Sequence, residues 1–229
     1  MTLEIDVFTL FPGYLEWLRE SRPVRNAVEA GSLRLRTFDL RDHAPGEHRQ
    51  VDDAPYGGGA GMVLRVDVVD AALEAAYGEA PPRVILLGPA GRLLDDELAR
   101  ELAAERRLAL LCGRYEGFDQ RVHDHLADDE VSIGRYVLAG GELAAMVLAD
   151  AVIRKLPGAL GSAQSVIEES FSEALDSAPE YPHYTRPPLY RGWDVPEILV
   201  SGDHERVREW RLQQSKLRAE ALRGPTAPS

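Results

Sequence analysis

Cysteine is almost absent from this chain, since Cys112 is the only one among its 229 residues. A single cysteine excludes an internal disulfide and is typical of a protein in a reducing cytoplasm. The chain also lacks any apolar run long enough to span a membrane. Its first residues, Met1 to Asp6, lack the basic and apolar regions of a signal peptide. These absences predict a cytoplasmic protein with no membrane association.

Basic residues are also scarce, because 26 Lys and Arg face 38 Asp and Glu, for a net charge of −12. This balance argues against non-specific nucleic-acid binding as the main activity, but it allows a local basic patch. The hydrophobic share of 45% and the charged share of 28% are those of an ordinary globular protein. The length allows one large or two small domains.

Glycine, in contrast, is concentrated in three loops at residues 88–92, 112–122 and 132–142. Each loop follows a short apolar segment that predicts a buried strand. In α/β proteins, ligands bind in a crevice at the carboxyl ends of parallel strands. The three loops therefore predict one shared ligand pocket.

Strand and helix patterns alternate through the first 155 residues, which predicts an α/β fold with a mainly parallel sheet. The predicted strands are 3–9, 33–38, 83–87, 108–112 and 130–133, and the predicted helices are 14–20, 24–30, 66–77, 94–106, 118–126 and 142–155. A long polar loop at 41–61 ends in clustered glycines, and loops of this length are usually functional or disordered.

The composition changes near Leu156. Residues 161–182 are polar and punctuated by proline, and they predict a linker with a small helix. Residues 183–224 hold eight Lys or Arg against six Asp or Glu. Asp203 is placed to cap a terminal helix from His204 to about Leu222. Its predicted apolar face comprises Val207, Trp210, Leu217 and Ala221, and its cationic surface indicates contact with RNA.

Five ordered segments resemble the bacterial tRNA (guanine-N1)-methyltransferases of the SPOUT superfamily. The segments are Val51–Met62, Cys112–Val122, Ser132–Glu142, Pro182–Pro187 and Leu199–His204. They occur in the family's order and extend over nearly the whole chain. One glycine loop alone is a weak signal, whereas five ordered blocks are a strong one.

The resemblance implies an α/β domain whose parallel sheet is threaded into a deep trefoil knot, followed by a small, mostly helical domain. It divides the chain into a knotted cofactor-binding domain (1–160), a linker with the catalytic carboxylate (161–182) and a helical tRNA-binding domain (183–229). It also implies a homodimer that shares its active site. The cofactor would be S-adenosylmethionine, held by Pro89, Gly91, Gly113, Tyr115, Glu116, Gly117, Ser132, Ile133, Gly134, Arg135, Tyr136, Val137, Leu138, Gly140 and Gly141. The tRNA contacts would be His183, Arg186, Arg206, Arg208 and Arg211.

Methylation of guanine N1 in tRNA, at position 37 beside the anticodon, is the activity that the resemblance implies. N1 carries a proton at neutral pH, so the reaction needs a base and a group that stabilises the charge moving towards O6. Arg154 matches the family's arginine, and Glu169 stands where the family has aspartate. This carboxylate is one methylene longer than the family's, and Glu168 beside it is a rival for the role of base.

Arg135 is a second departure, because the family commonly has aspartate there; the simplest interpretation is that this side chain points to solvent. The family is reported to need Mg²⁺, yet the sequence shows no evident metal-ligand set. Two other functions stay open. One is methylation of a ribose 2′-hydroxyl of RNA, which has no need of a linker carboxylate. The other is RNA binding without catalysis.

Overall fold

The computed structural model describes residues 1–161 and 169–223. The chain divides into two compact units, Met1–Gly161 and Ser162–Ser229. Within these described ranges, no helix combines the length and the hydrophobicity needed to cross a membrane.

The first unit is built on a five-stranded sheet in which every neighbouring pair is parallel, in the order β2-β1-β6-β5-β7. Its strands are β1 Leu3–Thr9, β2 Leu33–Asp39, β5 Arg83–Leu93, β6 Arg107–Cys112 and β7 Asp129–Ser132. A separate antiparallel ribbon pairs β3 Asp52–Asp53 with β4 Val63–Leu64. The α/β class and the parallel sheet predicted from the sequence are therefore confirmed.

Helices connect these strands and cover both faces of the sheet. They are α1 Glu16–Glu20, α2 Arg22–Glu29, α3 Val66–Tyr77, α4 Asp96–Ala103, α5 Gln120–His125 and α6 Glu142–Ile153, with short 3-10 turns at Pro12–Leu15 and Leu40–His43. Side chains alternate between the two faces along a strand. Ile85 and Leu87 accordingly join the core formed with α1, α2, α4 and α6. Val84 and Leu86 join the core formed with α3 and α5.

Two predictions about local structure in this unit were wrong. The segment 88–92 is not a loop after a strand, because β5 continues to Leu93 and both Leu87 and Arg92 pair with Val131. The intervening residues bulge out of the ladder, a position in which proline is tolerated. The following helix is consequently shorter than predicted and begins after Asp95, whose carboxylate accepts a hydrogen bond from Leu98 N at 2.8 Å.

The second unit contains a 3-10 turn at Glu173–Leu175, a two-stranded ribbon of β8 Leu189–Tyr190 and β9 Trp193–Asp194, and helices α7 Glu197–Val200 and α8 His204–Arg223. The predicted cap of α8 is confirmed, since Arg206 N donates to Asp203 Oδ1 at 3.1 Å. A small 3-10 turn is the only helical structure in the described part of the predicted linker, residues 169–182.

The predicted apolar face of α8 was wrong in its C-terminal half. Leu217 is 49% exposed, and Ala221 is exposed as well. The buried residue of the helix is Ser215, whose hydroxyl donates to the Pro179 carbonyl at 2.7 Å. Arg218 donates to the Glu180 carbonyl at 2.8 Å. Polar contacts with the segment before the ribbon therefore fix this helix, and a hydrophobic pattern does not detect them.

Candidate functional site

A cavity of about 390 Å³ lies in the first unit at the carboxyl ends of β5, β6 and β7. Its wall is formed by the β5 bulge, the loop after β6, the loop after β7 and the start of α6. The lining residues are Leu86, Leu87, Gly88, Pro89, Gly113, Arg114, Tyr115, Glu116, Gly117, Phe118, Gln120, His123, Glu130, Val131, Ser132, Ile133, Gly134, Tyr136, Val137, Leu138, Ala139, Gly140, Gly141 and Ala144.

The structure brings together almost all of the residues predicted to bind a cofactor. Pro89, Gly113, Tyr115, Glu116, Gly117, Ser132, Ile133, Gly134, Tyr136, Val137, Leu138, Gly140 and Gly141 all line this cavity. The two that do not are Gly91 and Arg135. The single pocket predicted from three glycine loops therefore exists as one cavity.

Gly91 has a packing role at the sheet instead of a place in the cavity wall. A Cβ atom at this position would lie 2.3 Å from the backbone carbonyl carbon and oxygen of Glu130, and 2.6 Å from Val131 N. Real Cβ atoms do not approach backbone atoms so closely, and only glycine allows this approach. Gly91 therefore lets the bulged part of β5 rejoin β7.

Arg135 is exposed and does not contribute to the lining. The neighbouring Ser132 hydroxyl donates to the Gly134 carbonyl at 3.0 Å, and Tyr136 OH donates to the Ile133 carbonyl at 3.3 Å. These bonds hold the loop after β7 without the side chain at 135. The replacement of the family's aspartate by Arg135 is consistent with such a loop.

A buried ion pair joins the two larger loops of the cavity. Arg114 Nε lies 3.0 Å from Glu142 Oε2 and 3.2 Å from Glu142 Oε1. The Thr9 hydroxyl at the end of β1 donates to the same carboxylate at 2.8 Å, and Arg114 Nη1 donates to the Ala139 carbonyl at 3.2 Å. Glu142 is only 1% exposed, so this carboxylate depends on these partners.

Gly140 leaves the room that this ion pair needs. A Cβ atom at Gly140 would lie 2.2 Å from Arg114 Nε. Burial opposes the charge of Arg114, but its hydrogen bonds to Glu142 and Tyr14 raise its pKa above the usual value. The guanidinium also lies over the ring of Phe11, 4.4 Å from its centroid. The sequence pattern indicated the glycine but neither charged partner, although Arg114 and Glu142 lie within the glycine-rich segments 112–122 and 132–142.

The β3–β4 ribbon supports the loop after β6 from the other side. Glu116 N donates to the Met62 carbonyl at 3.0 Å, and Leu64 N donates to the Gly117 carbonyl at 2.9 Å. The segment 41–61, which the sequence assigned to a long polar loop, therefore contains β3 and is followed closely by β4. One of them, β4, holds the glycine-containing turn of the cavity in place.

Two carboxylates, Glu116 and Glu130, line the cavity, whereas the buried Glu142 does not. His123 lies beside one of them, with Nδ1 at 3.4 Å from Glu130 Oε2. The nearby Cys112 is fully buried, and burial followed by the charge of Glu142 raises its pKa well above the usual value. A buried, protonated thiol is a poor nucleophile. The cavity wall thus presents the Glu116 and Glu130 carboxylates, the Arg114 side chain and backbone groups.

Arg154 directly follows α6, and its backbone N–H donates to the Asp150 carbonyl at 3.1 Å. Glu169 is the first described residue of the second unit, and its carbonyl accepts from Ser172 N at 3.0 Å. Both side chains are half-buried. Glu168, the rival base, lies outside the described residues.

The predicted tRNA contacts fall into two groups in the second unit. His183, Arg186 and Arg211 line a second cavity of about 540 Å³. Arg206 and Arg208 are exposed on α8 and do not line it. Residues 1–161 and 169–223 contain no group of three or more His, Cys, Asp or Glu placed to hold a metal ion.

Comparison with protein families matches residues 3–226 to the family described as "tRNA (Guanine-1)-methyltransferase TrmD". The chain belongs to this family. Members of similar sequence are the tRNA (guanine-N(1)-)-methyltransferases of Brevibacillus brevis (48% identity, covering 96% of this chain and 90% of the relative) and Geobacter metallireducens (49%, covering 93% and 86%). The protein of the same name from Geobacillus kaustophilus is 47% identical over 97% of this chain and 90% of its own length.

Proposed function

We propose that this protein is a tRNA (guanine-N1)-methyltransferase, which transfers a methyl group from S-adenosylmethionine to N1 of a guanosine in tRNA. The observation that carries the proposal is the match to one enzyme family over residues 3–226, together with identities near 48% to relatives that bear this name. Following the resemblance, the target is the guanosine at position 37, and the reaction takes place in the cytoplasm.

The cavity in the first unit fits the donor by its size and its charge. Its volume of about 390 Å³ lies within the range of small-molecule sites. S-adenosylmethionine carries an ammonium, a sulfonium and a carboxylate, and the wall holds side chains of both signs, with Glu116 and Glu130 negative and Arg114 positive. Backbone groups of the loops at 113–117 and 132–141 would hold the remaining polar atoms. When bound, the donor supplies an activated methyl group.

Glu169 and Arg154 are the residues that we propose for the chemistry at guanine. The Glu169 carboxylate would take the proton from N1, and N1 would accept the methyl group as the bond between that group and the donor sulfur breaks. The products would be a neutral 1-methylguanine and a neutral thioether on the donor. Arg154 donates hydrogen bonds to O6, where negative charge collects as the proton leaves. The family resemblance implies that these two positions carry out the reaction.

A homodimer is part of the proposal, and an exposed apolar face of the first unit supports it. Trp17 is 68% exposed, and Leu143 and Val147 of α6 are 47% and 48% exposed. Tyr14 lies nearby on the 3-10 turn, which packs against α6, and Phe11 directly precedes that turn. Apolar side chains grouped on adjacent elements mark interaction surfaces. A second copy of the chain is the partner that the family resemblance implies.

The finer architecture follows the same proposal. Residues 1–160 form the cofactor domain, 161–182 the linker and 183–229 the tRNA-binding domain. The parallel order β2-β1-β6-β5-β7 requires crossover connections and is compatible with a trefoil knot that gathers the loops around the cofactor. Arg186, Arg206, Arg208 and Arg211 supply cations for the tRNA phosphates, and His183 supplies a further polar contact to the tRNA.

Single-turnover methylation followed by mass-spectrometric nucleoside analysis tests the proposal. Wild-type protein with donor and tRNA should produce 1-methylguanosine and no 2′-O-methylated nucleoside. Glu169→Gln keeps the shape of the side chain and removes its basicity, so methyl transfer should fall by roughly 10²- to 10⁴-fold while the donor still binds. The Mg²⁺ requirement that the resemblance implies is tested by the same assay with and without EDTA.

Glu168→Gln is the matched control, because it makes the same change one residue earlier. Glu169→Asp is the rescue, since it restores the family's residue, and it should retain far more activity than Glu169→Gln. If Glu168→Gln is inactive and Glu169→Gln has nearly wild-type activity, the general base is Glu168 and not Glu169. A wild-type protein that binds the donor but forms no 1-methylguanosine would overturn the proposed function.

A further inference from the structure

The β8–β9 ribbon exposes two aromatic side chains at its tip. Tyr190 is 50% exposed and Trp193 is 68% exposed, with ring centroids 5.8 Å apart. The connecting residues Arg191 and Gly192 both have positive φ, at 53° and 84°, as a two-residue type I′ turn requires. Arginine is an uncommon choice there, where Asn, Asp or Gly is preferred. Its guanidinium lies 5.3 Å from the Tyr190 ring centroid.

The base of the ribbon opens into the 540 Å³ cavity of the second unit. Val195 N donates to the Pro188 carbonyl at 2.9 Å and closes the ribbon, and both residues line the cavity. Inside, the Arg211 guanidinium lies 4.7 Å from the Tyr181 ring centroid, and the His183 ring lies 4.9 Å from the same ring. The ribbon that carries the two exposed rings therefore adjoins, through Pro188 and Val195 at its base, the surface of the cavity that holds Arg211 and His183.

Within the described residues, the charged side chains that line this cavity are positive. The cavity lining, as the structure describes it, includes Arg186, Arg211 and His183 but no carboxylate. Glu180 lies at the edge, where its carboxylate is 2.8 Å from His183 Nε2, and Asp194 is exposed on β9. Cationic side chains beside exposed aromatic rings are suited to binding a polyanion with accessible aromatic groups, such as a nucleic acid with unpaired bases.

We propose that the ribbon tip is a stacking platform for an unpaired nucleotide of the RNA substrate, with Tyr190 and Trp193 against the base and the cavity cations on the adjoining phosphates. Bases in an A-form duplex are already stacked and paired, so exposed aromatic rings select unpaired nucleotides. The inference rests on the proposed function for the choice of tRNA. It adds a requirement for single-stranded nucleotides that phosphate contacts alone do not impose.

The test compares two RNAs of equal stem sequence: the anticodon-arm hairpin of tRNA, which has an unpaired loop, and a blunt duplex, which has none. Dissociation constants of the full-length protein are measured by fluorescence anisotropy at fixed salt concentration. Trp193→Ala and Tyr190→Ala should each weaken hairpin binding by roughly 5- to 150-fold, the effect of losing one base–aromatic stack. Their affinity for the duplex should be unchanged.

Leu189→Ala is the matched control, since Leu189 lies on the same ribbon and is 57% exposed but has no ring. It should leave both dissociation constants unchanged, and Tyr190→Phe, which keeps the ring, should do the same. A second measurement covers the case in which Trp193→Ala does not fold. The tryptophan fluorescence of wild-type protein should be quenched by the hairpin, and Trp193→Phe should lose this quenching while it retains most of the affinity.

Equal losses on hairpin and duplex, no loss with either alanine variant, or unquenched wild-type fluorescence would each reject the platform. These outcomes are separate from failure of the proposed function. RNA binding is measured without methyl donor, whereas the proposed function fails only if wild-type protein forms no 1-methylguanosine. A wild-type enzyme that methylates tRNA and has a Trp193→Ala variant of unchanged hairpin affinity would overturn the platform alone.

Discussion

Removal of the Arg114 guanidinium is the perturbation that most directly tests how the 390 Å³ cavity of the first unit is held together. Glu142 is 1% exposed, and its carboxylate has Arg114 at 3.0 Å and the Thr9 hydroxyl at 2.8 Å. Arg114→Met keeps much of the side-chain length but removes the charge and the donors. The Glu142 carboxylate is then left in the protein interior with one neutral donor.

The magnitude follows from that burial. Breaking a buried ion pair by removing one partner costs about 3–5 kcal/mol, because the remaining charge is uncompensated. In a chain of this length, such a loss should lower the melting temperature by about 6–20 °C. Donor affinity should fall as well, because Arg114 also bonds to the Ala139 carbonyl and so joins the two loops. Thermal unfolding by circular dichroism and calorimetric titration with S-adenosylmethionine measure the two effects.

The double variant Arg114→Met, Glu142→Gln isolates the cause. An amide at 142 has no charge to compensate and can still accept the hydrogen bond from Thr9, so the double variant should be more stable than Arg114→Met alone. Arg121→Met is the control, because it breaks an ion pair of similar length (2.7 Å) whose arginine is 59% exposed, and it should change stability little. A melting temperature unaltered by Arg114→Met, or a double variant less stable than Arg114→Met alone, would refute the reasoning.

Two further predictions concern assembly and RNA binding. Trp17→Glu places a charge on the exposed apolar face and should weaken the proposed dimer by about 2 kcal/mol or more, which is roughly 30-fold in the dissociation constant. Sedimentation measures this dissociation constant. The control is Val28→Glu on α2, where Val28 is 50% exposed. A stable dimer with Trp17→Glu would place the interface elsewhere. Charge reversal of Arg206 and Arg208 should weaken tRNA binding, and neutralising either one should lower the salt slope by about 1. Unchanged tRNA affinity after both reversals would exclude them as phosphate contacts.

The sheet was predictable from the sequence because its strands carry strong local signals. Leu3–Thr9 was predicted without error, and the strands at 33–39 and 107–112 were predicted to within one residue. Leu3–Thr9 and Arg107–Cys112 are largely buried and Leu33–Asp39 alternates between apolar and polar residues, so hydrophobic patterns mark all three clearly. The convergence of the loops followed from the rule that parallel strands end at the same edge of the sheet.

The parts that failed are those in which tertiary contacts override local patterns. The β5 bulge exists because Gly91 can approach the backbone of Glu130, and no single-sequence pattern reveals that contact. The ribbon Asp52–Leu64 is too short for a periodicity signal. In α8, Ser215 is buried because the Pro179 carbonyl accepts a hydrogen bond from its hydroxyl, so the hydrophobic pattern selected the wrong face of the helix.

The ion pair between Arg114 and Glu142 explains why the sequence revealed the glycines of the cavity but did not reveal how the cavity is arranged. Glycine marks where the backbone must turn or approach closely, and that requirement is local. The shape of the cavity depends on a carboxylate at the start of α6 that binds a guanidinium after β6 and a hydroxyl at the end of β1. Since these three groups are separated by up to 133 residues, only the parallel order of the strands brings them together. A variant that keeps every glycine but loses this ion pair should therefore lose the cavity. Calorimetric titration of Arg114→Met with S-adenosylmethionine measures how far donor binding depends on the pair.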